Sequence, residues 1–344
     1  MIKTNAGRFF EDYTVGETIH HAVPRTISGG ERALYHALYP ARHALYSSDE
    51  FARASGLPAA PLDDLAAFHV VFGKTVPDVS LNALANLGYA EGHFLKPVYA
   101  GDTLRTTSEV IGLKQNSNGK SGVVWVHSKG FNQRDEVVID YKRWVMVRKR
   151  DPEAAAPETV LPELSSVIDA ADLTIPDGLD FSAYDYALAG EPHRAADYEV
   201  GEKINHVDGV TIEEAEHMIA TRLWQNTAKV HFDTSARPDG TRLIYGGHVI
   251  SMARALSFNG LANAQMIAGI NAGAHANPCL SGDTIRAWSE VLDKSETSAK
   301  GVSAIRLRLV ATKGDSADME LRGTDGKYRP DVLLDLDYWA LMPS

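Results

Sequence analysis

The chain of 344 residues states its own pattern twice, and that repetition restricts the fold more than any other feature. Asp12, Tyr13, Val15, Gly16 and Glu17 recur as Asp197, Tyr198, Val200, Gly201 and Glu202, and at the same offset Thr26, Ile27, Glu31 and Leu38 recur as Thr211, Ile212, Glu216 and Leu223. Further along, at an offset four residues shorter, Gly92, Pro97, Gly101, Asp102, Thr103 and Glu109 recur as Gly273, Pro278, Gly282, Asp283, Thr284 and Glu290. Agreement at so many spaced positions implies two copies of one structural unit, each near 150 residues and so the size of one domain. The copies are expected over residues 1–150 and 193–344. Residues 151–192, with Pro152, Pro157, Pro162 and Pro176, read as a linker crossing the surface. Whether it packs along one copy or acts as a lid stays open.

Within each copy, periodicity supplies the elements. Thr211, with Glu213 and Glu214 close behind, predicts a helix capped by the threonine and supported by acids in its first turn. Val249, Met252, Ala253, Leu256 and Gly260 follow the Gly246–Gly247 pair at helical spacing, and Leu65, Phe68 and Phe72 form the counterpart in the first copy. The runs from Gly122 to His127 and from Ser303 to Val310 alternate apolar with polar residues, which predicts strands with one wet face. An α+β fold follows, in which each half wraps an antiparallel sheet around one long central helix and the two sheets meet edge to edge.

Composition removes several functions. A net charge of −11 repels nucleic acid and anionic membrane, so neither is an expected partner. The single cysteine, Cys279, allows no intrachain disulfide and suits a reducing compartment, so the cytoplasm is expected. The N-terminal stretch has no apolar core of signal-peptide length, and no uncharged run of about 18 residues follows that would span a membrane. The histidines form no ligand set with a third partner, so no metal is expected. No Gly-rich phosphate loop occurs.

The segment PVYAGDTL from Pro97 to Leu104 recurs as PCLSGDTI from Pro278 to Ile285, and NTAKVHFD from Asn226 to Asp233 is followed by Tyr245, Gly246, Gly247 and His248. In these segments, and over both halves, the chain resembles the MaoC-like hydratase/dehydratase family of hotdog enzymes, most nearly its mesaconyl-CoA hydratase branch. The resemblance implies a tandem (double) hotdog and a hydro-lyase acting on an enoyl-CoA, with a branched five-carbon dicarboxylic acyl group. It implies no cofactor beyond the CoA of the substrate, and association into a homo-oligomer, because hotdog units bury sheet edges and helix faces against one another.

Hydrating an enoyl thioester needs a base for the water, polarisation of the thioester carbonyl and a proton returned to the α-carbon. His231 is the candidate for moving the proton, since histidine titrates near neutrality. By the family pattern the backbone N–H of Gly247, with Gly246 beside it, binds the thioester oxygen at the helix start, where glycine admits a close approach and the dipole favours developing negative charge. The pattern's aspartate falls on Asn226, and the neighbouring Gln225 and Trp224 supply no carboxylate either. A second acid or base would then come from Asp233, which otherwise caps a turn, or from His248. A dicarboxylic acyl group could position the water with its own carboxylate, with Lys229, Arg222 or Arg254 as its binder.

The first copy serves as an internal control. Asn226, His231 and Asp233 correspond to Ala41, Tyr46 and Ser48, while Gly246 and Gly247 correspond to Asp63 and Asp64, good helix caps but hostile to an oxyanion. One reactive site per chain is expected, in the second copy, with the first shaping the acyl or CoA pocket. His217, His20 and His21 are expected to be structural or at the surface, and the Gly-Asp-Thr motifs to be turns. Two other functions share the fold: an acyl-CoA thioesterase and a non-catalytic acyl-CoA binding protein.

Overall fold

In the computed structural model, which describes residues 3–314 and 318–344, the duplication becomes one continuous antiparallel sheet of ten strands. The first half contributes β1 (Thr18–Thr26), β2 (Ala83–Phe94), β3 (Thr103–Gln115), β4 (Ser121–Phe131) and β5 (Val137–Arg148). The second contributes β6 (Lys203–Thr211), β7 (Met266–His275), β8 (Thr284–Glu296), β9 (Val302–Lys313) and β10 (Val332–Pro343). Their order, β1-β3-β4-β5-β2-β7-β10-β9-β8-β6, runs outward identically from a central seam where Tyr89 faces Gly273 and Gly92 faces Ile270. The seam removes one edge from each half, so the backbone groups of β2 and β7 are paired on both sides. This is the double hotdog that the resemblance implied, built from the two copies that the repeat implied.

Equivalent residues make equivalent bonds. The Gly16 and Gly201 amides each donate at 2.8 Å, to Val110 O and Val291 O, and both glycines hold positive φ, at 85° and 89°. Asp102 and Asp283 each accept from a backbone N–H three residues earlier, at 2.9 Å, so the Gly-Asp-Thr motifs are turns. His21 and His206 each place Nε2 at 2.8 Å from a strand serine, Ser108 or Ser289, and both rings are buried.

Each half buries one central helix against its strands, Asp64–Thr75 in the first and Gly246–Leu256 in the second. Every residue of the first is buried, as is every residue of the second after Gly246, which accounts for runs far more apolar than one amphipathic face needs. The helices share a polar seam: His69 Nε2 lies 2.7 Å from Ser251 Oγ, to which Tyr35 Oη also donates. The helix expected to open at Thr211 instead runs from Glu214 to Leu223 with Glu213 at its N-cap, because Thr211 is the last residue of β6 and its hydroxyl lies 2.8 Å from that of Thr284. The expected wet faces also shrink toward the seam, where only Asp335 of β10 is not buried.

Residues 151–192 form a strap across both halves. Val160 pairs with Leu113 of β3, Ile168 N–H donates to Asn271 Oδ1, and Phe181 N–H donates to Lys300 O. Ile168, Leu173, Leu179 and Phe181 are buried in a second apolar cluster with Leu45, Tyr46, Trp339 and Leu341, which gives this irregular chain a fixed course. Among the described residues, no helix is long and apolar enough to cross a membrane.

Candidate active site

The site is built where a short helix of the second half, Lys229–Phe232, faces the start of that half's central helix. A cavity of about 270 Å³ opens between them. Asn226, His231, Tyr245 and Gly246 line it from the second half, together with His275 of β7; Phe72, Asn86, Tyr89 and Arg143 line it from the first. Among the described residues lining it, none is acidic.

His231 is held in one useful tautomer. Its Nδ1 lies 2.7 Å from the carbonyl of Leu243, so Nδ1 carries the proton and donates, leaving Nε2 with a lone pair. Burial lowers its pKa to about 4, the Leu243 bond opposing that shift, so the ring is neutral and able to accept a proton at neutral pH. Asn226 follows Gln225, a left-handed residue with φ of 55°, and its side-chain oxygen accepts from Ala228 N–H at 3.3 Å. The preceding Trp224 carbonyl sits so close to the first central helix that a Cβ on Gly73 would lie 1.7 Å from it. Glycine at 73 is therefore a packing requirement, and through it the first half seats the Asn226 loop.

Tyr245 is the N-cap of the second central helix, and neither Gly246 nor Gly247 has an acceptor for its N–H among the described residues, as expected of the first turn. Gly246 faces the cavity and must lack a side chain, since a Cβ there would lie 2.4 Å from the ring of His275. Gly247 packs inward against Tyr245 and His69. Tyr245 N–H donates to Nε2 of His217 at 2.9 Å, which fixes the peptide immediately before the glycines. His217, expected to be structural, thus positions the helix start. His275 had no motif to single it out. It lines the cavity with Nε2 at 3.1 Å from Tyr89 Oη, and burial lowers its pKa to about 4.

Several expected site residues lie elsewhere. Asp233 is exposed, and its Oδ1 accepts from Ser235 N–H at 2.9 Å as the cap of the next turn. Ser48, its counterpart, caps a helix in the same way by accepting from Phe51 N–H, so capping is what the position does in both halves. Gln225 and Lys229 are exposed and do not line the cavity, and Arg222 is exposed too. His248 points toward the first half, with Nδ1 3.0 Å from Tyr39 Oη and Nε2 buried without a partner. Arg254 is buried but committed, donating to His43 Nε2, Ser257 Oγ and the Ala264 carbonyl. Among the described residues no His, Cys, Asp or Glu cluster is arranged to hold a metal.

The equivalent place in the first half is filled. The two central helices match at their caps, Asp63 with Tyr245, so Asp64 takes the place of Gly246 and Leu65 that of Gly247, one position from the sequence alignment. Asp63 Oδ1 accepts from Leu65 N–H at 2.9 Å. Asp64 accepts from Ile267 N–H at 2.8 Å and from the hydroxyl of Tyr46, the residue standing for His231. Only about 10 Å³ remains beside it, closed by Thr174 and Pro176 of the strap.

Comparison with known proteins shows the family. The sequence profile of the mesaconyl-CoA hydratase family matches residues 2–320. A mesaconyl-CoA hydratase of Cereibacter sphaeroides is 73% identical over 99% of this chain and 100% of its own length. A beta-methylmalyl-CoA dehydratase of Chloroflexus aurantiacus is 59% identical over 99% of this chain and 98% of its own. The crystal structure of a MaoC domain protein dehydratase from Chloroflexus aurantiacus superposes with a TM-score of 0.97 at 59% identity, covering 100% of this chain and 99% of that one.

Proposed function

The chain belongs to the mesaconyl-CoA hydratase family, and on that premise we propose that it is a hydro-lyase interconverting mesaconyl-CoA and β-methylmalyl-CoA by adding and removing water. The observation that carries the chemistry is the pairing, in one cavity, of a neutral His231 with a free Nε2 and a helix start with unpaired N–H groups. Hydration then proceeds as follows. His231 Nε2 takes a proton from water as its oxygen attacks the β-carbon, and the electron pair of the double bond moves toward the thioester. The negative charge gathering on the thioester oxygen is met by the N–H groups of Gly246 and Gly247 and by the helix dipole. The proton that His231 took from the water is then delivered to the α-carbon, which returns His231 to its neutral form. Asn226 accepts no proton and acts by hydrogen bonding. The reading includes an acyl-CoA as the only ligand required, a cytoplasmic setting and self-association of the chain.

One assay separates this reading from a thioesterase and from a binding protein. Incubation with mesaconyl-CoA and with crotonyl-CoA is followed both by enoyl absorbance and by free thiol. Loss of enoyl signal without thiol release is the expected result. Thiol release identifies a thioesterase, and no change in either signal identifies a binding protein.

A further inference from the structure

Arg143 is a full positive charge buried in the wall of the cavity with no carboxylate paired to it among the described residues. It lies on β5, where Ile139, Tyr141, Val145 and Val147 share its inward face, and its guanidinium carbon sits 4.2 Å from the centre of the Phe72 ring. Its hydrogen bonds go to neutral oxygens: Nη2 donates to Thr75 Oγ1 at 2.7 Å and at longer range to Ser80 Oγ at 3.5 Å, and Nη1 donates to Asn86 Oδ1 at 3.4 Å. Nε has no partner. An uncompensated buried charge is costly, and folding tolerates it where a ligand supplies the counter-charge. The two histidines lining the cavity are neutral, so Arg143 is its one fixed charge among the described residues. In the second half the matching strand position, opposite Ile270 as Arg143 is opposite Tyr89, holds Tyr338. Of the two equivalent places in the halves, the charge therefore belongs to the one that stays open.

We infer that Arg143 receives the distal carboxylate of the acyl group and makes the site selective for dicarboxylic over monocarboxylic acyl-CoA. Phe72 touches both the guanidinium and Tyr245, with ring centres 5.7 Å apart in the second contact, and Tyr245 in turn touches His231 at 5.7 Å. Base, cation and the Gly246 helix start thus line one cavity, linked through Phe72 and Tyr245. A carboxylate arriving there replaces the long contacts to Ser80 and Asn86 and uses the vacant Nε. In mesaconyl-CoA that carboxylate is carried by the carbon that water attacks, so the same cation orients the acyl group and offsets repulsion of the incoming oxygen. The inference rests on the hydratase reading only for where the thioester lies.

Two saturated ligands test it without turnover. By calorimetry the native chain is expected to bind succinyl-CoA at least about 10-fold more tightly than butyryl-CoA, the size of a charge-assisted hydrogen bond made to one ligand and left unmade with the other. Arg143→Gln should abolish that preference while still binding butyryl-CoA, and should lower kcat/KM for mesaconyl-CoA about 100-fold or more. Arg143→Lys, which keeps the charge, should retain part of the preference. No preference in the native chain, or an equal loss of both ligands in a folded Arg143→Gln, overturns the inference. If the native chain prefers succinyl-CoA yet hydrates nothing, the carboxylate site stands and the hydratase reading falls. If it hydrates mesaconyl-CoA without any such preference, the hydratase reading stands and the carboxylate site falls.

Discussion

His231 is a base by virtue of being kept neutral. Burial penalises the imidazolium, and the Leu243 carbonyl fixes the proton on Nδ1. Since its pKa is lowered to about 4, the base is competent well below neutrality and is lost as pH falls through about 4. The pH profile of kcat/KM should stay flat on the acid side to about pH 5 and fall below it for as long as the fold survives. His231→Ala should lower kcat by about 10²- to 10⁴-fold, with melting little changed, as for loss of a general base. Full activity in that variant would remove His231 from the mechanism. Among the residues, the motif around Asn226 and His231 was legible in sequence. Arg143 was legible only as an arginine on the apolar phase of an alternating strand, and His275 carried no local signal, since both reach the cavity from distant strands.

The elements that matter most are the two glycine-dependent contacts. Gly246 is an ordinary helical position except that the His275 ring lies where its Cβ would be. Gly246→Ala should therefore cost about 10²- to 10³-fold in kcat, the loss expected when an oxyanion donor is misplaced, with a small change in melting. Gly73 instead holds the Trp224 carbonyl against the first central helix, so Gly73→Ala must push apart backbone that cannot yield cheaply. There we expect a loss of about 1–3 kcal/mol in stability together with weakened activity, measured by denaturant unfolding and turnover on one preparation. The helix at Glu214 teaches a related lesson. A threonine followed by acids reads as an N-cap, yet Thr211 serves a strand end in both halves, where Thr26 and Thr103 repeat the hydroxyl pair at 2.8 Å. Cross-strand pairing outweighed a local capping preference.

At the scale of the whole molecule, the chain holds several histidines neutral by burial, most of them around the two central helices. Burial lowers the pKa of His69 and His217 to about 3 and of His206, His231, His248 and His275 to about 4. A lowered folded pKa means the unfolded chain binds the proton first, so each contributes stability that is present above its unfolded value near 6.5 and is lost as pH falls toward its folded value. Asp63 and Asp64, raised by burial to about 6 and about 7, act oppositely: the fold favours their neutral forms, and that contribution is lost as pH rises through those values. The histidines outnumber them, so the melting temperature should fall steadily between pH 6.5 and 4, with several protons taken up on unfolding. A melting temperature that is constant or rises over that window would contradict the burial of these rings.

The sequence alone determined the doubled fold, through the repeat and the family resemblance, and it pointed to the second half as the place of the proposed site, because both readings depend on patterns that recur in order along the chain. Only the tertiary structure decided which side chains meet in the cavity. Asp233, Gln225 and Lys229 lie near the motif in sequence and turn away from the cavity, while Arg143, Tyr89 and His275 lie far off and line it. The physical reason is the β2–β7 seam: pairing the two sheets edge to edge carries strands of the first half to the mouth of the second half's helix, and no local sequence signal encodes that meeting.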